Sequence, residues 1–214
     1  MEKRIEAKHL GRSFLFSFII ATVLFFLIFG IANTFSYMNY KSISENNNAV
    51  LENIIKVSDR LENFECEDSL LSESSNDLDN SAFKITLLEQ RFGKHDLRVL
   101  NIKKLYSELE YTHFNLVNKF KKECGADFVT ILFFYVNEDD FESDNERASY
   151  ILGAFKESHI SGVMIYSFDA ELDLNTVKEL RKKYNVTYAP VIVVNEGNPF
   201  YPKNIDDLRE YNFN

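Results

Sequence analysis

The stretch "YNVTYAPVIVVN", residues 184–195, decides how the C-terminal half of this 214-residue chain is read. A polar lead-in ends at Pro190, four β-formers follow as Val191–Val194, and Asn195 opens a turn that contains Gly197. A short β-branched run favours a strand, and a proline directly before it fixes the backbone that enters it.

Outward from this stretch, the apolar period alternates between helix and strand. "LNTVKELRKK" immediately upstream is a short amphipathic helix, "GVMIYSFDA" before it a strand, and "ERASYILGAFKESH" another helix. "FVTILFFYVN", residues 128–137, is a near-continuous apolar run of strand length, as expected of a central strand covered on both faces. Downstream, the turn "NEGNP" leads to a short strand at residues 200–201 and a final helix "NIDDLREYN". The predicted order over residues 126–214 is β-α-β-α-β-β-α.

That order, together with "YNVTYAPVIVVNEG", resembles the thioredoxin-like fold family, in which a helix runs into a V-x-x-x-P loop whose cis-proline precedes a strand and a Gly-containing turn. Val186 and Pro190 occupy those positions here. The family's reactive CxxC stands just after the first of these strands, at a helix start that lowers the thiol pKa. The matching residues, 137–148, read "NEDDFESDNERA" and contain no cysteine. Their carboxylates, Glu138, Asp139, Asp140, Glu142, Asp144 and Glu146, would raise a thiol pKa. They do not form a calcium loop either, because Asn145 stands where glycine is needed and Ile151 where glutamate is needed.

The N-terminal half is organised differently. Residues 13–32, "SFLFSFIIATVLFFLIFGIA", carry no charge, and about twenty residues at ~1.5 Å each span a bilayer core of ~30 Å. A membrane anchor over residues 13–35 follows, with a cleavable signal peptide as the competing reading. Lys3, Arg4, Lys8 and Arg12 precede it, so residues 1–12 are assigned to the cytoplasm and the rest to the extracytoplasmic side. Residues 36–125 read as a helical stalk and a helical pair. Ile43, Val50 and Val57 form one apolar column and Tyr40, Ile54 and Leu61 another, broken at Asn47. This stripe suits either a homodimeric coiled coil through residues 36–63 or one helix packed on its own chain. "CEDSLLSESSNDLDNSA", residues 66–82, reads as a loop with at most one helical turn, followed by a short helix ended by Gly93 and a long one from Leu97 to about Glu123. His113 lies on the apolar face of that long helix and reads as a core histidine.

The formal charge of −9 excludes nucleic acid as a partner, since phosphate binding needs a basic surface. There is no HExxH, no Gly-rich phosphate loop and no GxSxG, and the four histidines are scattered, so no metal and no cofactor is expected. Cys66 and Cys124 are read as a structural disulfide, with free thiols or a working redox pair as alternatives. Asn185-Val186-Thr187 is a glycosylation sequon.

The resemblance therefore implies a membrane-anchored, extracytoplasmic, non-catalytic module that binds a peptide or protein. Tyr135, Phe141, Tyr188, Ala189 and Pro190 are its candidate site, Ala189 offering backbone hydrogen bonds to an extended segment. A thiol-disulfide oxidoreductase using Cys66 and Cys124, or a structural subunit assembled through the stalk, are the alternatives.

Overall fold

The computed structural model describes residues 2–158 and 162–211, with side-chain surroundings from residue 14 onward except at 68, 70 and 210. The side chains of the basic flank and of His159 lie outside that set. Five α-helices and three strands are present among the described residues: α1 (Glu2–Glu62), α2 (Asp68–Phe92), α3 (Leu97–Glu123), β1 (Val129–Tyr135), α4 (Glu142–Ser158), β2 (Val163–Asp169), α5 (Asn175–Lys183) and β3 (Val191–Val194). Short 3-10 helices occupy Asp139–Phe141 and Ile205–Tyr211. The chain divides into two units, residues 1–45 and 46–214.

In the first unit α1 is apolar and solvent-facing, and its most apolar 18-residue window has no buried residue. Among the described residues it is the one helix long and apolar enough to cross a membrane, as either an anchor or a signal segment does. Its hydroxyls are satisfied within the helix, Thr22 donating to Phe18 O at 2.8 Å and Thr34 to Gly30 O at 2.9 Å. Such back-bonding lets a polar side chain sit in an apolar helix without an unpaired donor.

In the second unit the end of α1 pairs with α2 in antiparallel fashion. Arg60 Nη2 meets Glu73 Oε2 at 2.6 Å, and Asn53 Nδ2 meets Ser81 Oγ at 3.2 Å. Val50 and Val57 are buried in the chain's own core, with Ile54 and Leu61 packed against it, whereas Tyr40 is exposed. From Val50 to Leu61 the apolar stripe of the stalk therefore meets the same chain.

The Ser-rich loop expected over residues 66–82 is instead the first half of α2. Leu71, Ser74, Leu78, Ser81, Ile85 and Leu88 recur at three-to-four spacing and are all buried. The serines remain helical because their hydroxyls bond back to the preceding turn, Ser74 to Leu71 O at 2.9 Å and Ser81 to Asp77 O at 2.8 Å. Gly93 ends α2 at a φ of 92°, a conformation open to glycine. Asp96 caps α3, accepting from Arg98 N at 2.9 Å.

The sheet has three strands in the order β2-β1-β3. β1 runs parallel to β2, with Tyr135 opposite Asp169, and antiparallel to β3, with Phe134 opposite Val191. Leu132, Phe134, Tyr166, Phe168, Val191 and Val193 face α3 and α5 and share one core with Val50, Val57, Leu71 and Leu78. Val129, Ile131, Phe133, Val163, Ile192 and Val194 face α4 and Leu208.

The predicted fourth strand is reduced to one bridge, Ile192 with Phe200. Pro199 and Pro202 flank it and supply no N–H to extend a ladder. The terminal helix is 3-10 rather than α, its start held by Asp207 Oδ2, which accepts from Lys203 N at 2.7 Å. The fold is thus mixed α/β with a small mixed sheet.

Candidate functional site

The parallel strands β1 and β2 end side by side, and crevices at the carboxyl ends of such strands are where α/β sheets hold ligands. β1 leaves through Val136 and Asn137, and Asn145 in the first turns of α4 reaches back, Nδ2 donating to Val136 O. This tie leaves α4 propped over the strand ends. A cavity of about 550 Å³ opens between them, floored by Phe133, Tyr135, Asn137 and Ser167 and walled by Ser149 and Tyr150. Its volume suits a small molecule or a side chain. Glu138, Asp139, Glu142 and Glu146 line it too, and Lys94 meets Glu142 Oε1 at 3.3 Å.

Behind the floor lies a buried ionic network. Asn137 Nδ2 donates to Asp169 Oδ2. The same oxygen lies 3.4 Å from Lys103 Nζ, which also meets Glu89 Oε1 at 3.1 Å and sits 5.3 Å from the Tyr135 ring centre. Burial raises the Tyr135 phenol well above its ordinary pKa, reinforced by Asp169, Glu89 and Glu110 and offset by a hydrogen bond from Asn137. Tyr135 consequently stays a neutral phenol at the cavity floor. Lys103 and Asp169 are each buried, so losing Lys103 would strand the Asp169 carboxylate, whereas Lys103 keeps Glu89 when Asp169 is lost.

Two turns further along α3, the buried Glu110 Oε1 accepts from Ser167 N at 2.7 Å, taking the outward N–H of the sheet's edge strand. Oε2 is buried without a partner in hydrogen-bonding geometry. Burial raises the Glu110 pKa well above the ordinary range, while Ser167 N–H and the Tyr106 hydroxyl oppose the shift. His113 is fully buried, with Nδ1 2.9 Å from Tyr166 Oη and Nε2 3.2 Å from Ser75 Oγ. Burial, then the nearby Arg60 charge, lowers its pKa to about 4. It is a core histidine with both ring nitrogens engaged.

The five predicted site residues divide between two places. Tyr135 floors the cavity, on the α4 side of the sheet. Phe141 and Ala189 pack against the other core cluster, Pro190 is buried, and Tyr188 is 57% exposed. The Ala189–Pro190 peptide is cis. Among the described residues, the backbone groups of Tyr188 and Ala189 bond to no other backbone group.

Sequence reasoning does not find Lys103, Glu110 or Asp169. Lys103 and Glu110 fall beside, not on, the apolar face read from α3, where charged residues ordinarily meet solvent. Only a helix buried over more than its apolar stripe, as α3 is, brings them inside.

Cys66 and Cys124 form a disulfide with Cα atoms 5.7 Å apart. Cys124 follows α3 and Lys103 lies near its start, an interval of about 30 Å at helical rise. The sulfurs are therefore remote from the cavity. No group of three or more His, Cys, Asp or Glu among the described residues could hold a metal ion. The chain matches no protein-family model and no curated protein.

Proposed function

We propose that this protein is a membrane-anchored, extracytoplasmic, thioredoxin-like module that binds a polypeptide without redox chemistry. The order β1-α4-β2-α5-β3 and the cis peptide before β3 support the fold assignment. The exposed apolar α1 supports the anchor, and the basic residues before it support a cytoplasmic N-terminus.

The observation that carries the binding reading is the open backbone of Tyr188 and Ala189 beside an exposed tyrosine ring. An extended segment laid along that loop gains main-chain hydrogen bonds there, and the neighbouring ring adds apolar area. The carboxylates at the start of α4 replace the thiols that catalysis would need.

A photo-crosslinking residue at position 188, in the full chain in its own membrane, is expected to capture a discrete polypeptide at an unchanged melting temperature. Equal capture from the exposed position Tyr150 would refute the assignment of this loop. The exposed position of Cys66 favours the alternative, thiol exchange through Cys66 and Cys124. Cys66→Ala with Cys124→Ala abolishes disulfide reductase activity on that reading and leaves capture intact on ours.

A further inference from the structure

α5 leads into the loop at Tyr188 and Ala189, and four of its residues are cations, Lys178, Arg181, Lys182 and Lys183. They differ in what each already holds. Lys183 Nζ meets Glu196 Oε1 at 2.7 Å, and Lys178 Nζ pairs with Asp173 Oδ1 across exposed surface. Arg181 is committed to the backbone, Nη1 donating to Ala170 O at 2.8 Å and Nε to Val186 O at 3.4 Å. Lys182 is exposed and meets no carboxylate among the described residues.

The segment that enters the loop is pinned to α5, since Val186 N also donates to Arg181 O at 2.8 Å. Asn185 turns the chain at a φ of 55°, and Thr187 comes to border the same hollow as the α5 cations. This hollow, of about 350 Å³, is lined by Lys178, Arg181, Lys182, Asn185, Val186 and Thr187, three cations and no carboxylate. Cations in the last turn of a helix also favour its C-terminus. That role accounts for residues 181–183, but Lys178 lies before the last turn and borders the same hollow.

From Thr187 to Ala189 the backbone groups bond to no other backbone group among the described residues. An extended segment paired with this run advances ~3.3 Å per residue. A side chain one or two residues from the one beside Tyr188 therefore reaches the hollow that Thr187 borders.

We infer that the polypeptide bound along residues 187–189 carries an aspartate or glutamate that enters this hollow and pairs with Lys182. This rests on the binding reading above and adds the charge of the recognised residue. The complementarity is local, because the chain as a whole carries −9 and repels an acidic peptide. A preference for an acidic peptide at this loop therefore has to come from the cations beside it.

Three synthetic peptides of the same alternating threonine-valine sequence, with a central glutamate, glutamine or lysine, separate the outcomes. The probe is the full chain in neutral detergent micelles with an aromatic photo-crosslinker at position 188. At low salt it is expected to capture the glutamate peptide about fivefold more than the glutamine peptide, and the lysine peptide least. The preference is expected to fade at about 1 M salt, where charges are screened within ~3 Å. Lys182→Gln is expected to abolish it and Lys182→Glu to turn it toward the lysine peptide. Lys156→Gln, on α4 against the other face of the sheet, makes the same change in net charge and is expected to leave it intact. Capture of no peptide from position 188 would sink the binding reading and this inference with it. Equal capture of all three, or a preference that survives Lys182→Gln or disappears with Lys156→Gln, overturns this inference alone.

Discussion

Burial moves the Glu110 carboxyl and the His113 imidazole in opposite directions, and both moves favour the neutral form. For Glu110 the folded protein keeps its proton after the unfolded chain has released one near pH ~4.3, so its contribution to stability is greatest below that pH and falls as pH rises. For His113 the unfolded chain gains a proton below ~6.5 while the folded protein holds off until about 4, so stability is lost as pH falls through that window. Between ~4.3 and ~6.5 the two slopes oppose each other, each at most about 1.4 kcal/mol per pH unit. Denaturant unfolding across this window is expected to show Glu110→Gln steepening the rise of stability with pH and His113→Gln leaving a fall. Glu110→Ala, which strands Ser167 N–H at the sheet edge, is expected to cost about 1–3 kcal/mol, and a smaller loss would mean that water reaches that N–H.

Helices and strands were legible wherever apolar period and punctuation agreed. Asp96 before α3 and the apolar run of β1 are local signals, and both elements form where those signals put them. α2 was not legible, because serine reads as a breaker until the partner helices that bury Ser74 and Ser81 are known. The apolar stripe of α1 was legible as a stripe, but periodicity carries no information on whether the facing surface belongs to the same chain. Val57→Ala removes two buried methyl groups and is expected to cost about 2 kcal/mol. Its unfolding midpoint should not move with protein concentration. A concentration-dependent midpoint would place the stripe in a dimer.

At the scale of the molecule, the Cys66–Cys124 bridge closes a 58-residue separation that spans α2 and α3. In the chain-entropy treatment such a loop stabilises by about 4 kcal/mol. Reduction is therefore expected to lower the unfolding midpoint markedly while leaving crosslinking through position 188 intact below the new midpoint. Loss of crosslinking in a still-folded reduced protein would tie the bridge to function. Cys66 and Cys124 could be paired from the sequence by count alone, whereas the cavity could not be seen, since it joins α4, the ends of two strands and Lys94 through tertiary packing.

Both margins of the sheet are closed by something other than a strand: Glu110 occupies Ser167 N–H outside β2, and the proline-flanked Phe200 meets Ile192 outside β3. Exposed strand margins invite copies of a protein to add to one another's sheets. These two contacts stand where such pairing would begin, and they oppose edge-to-edge aggregation of the chain.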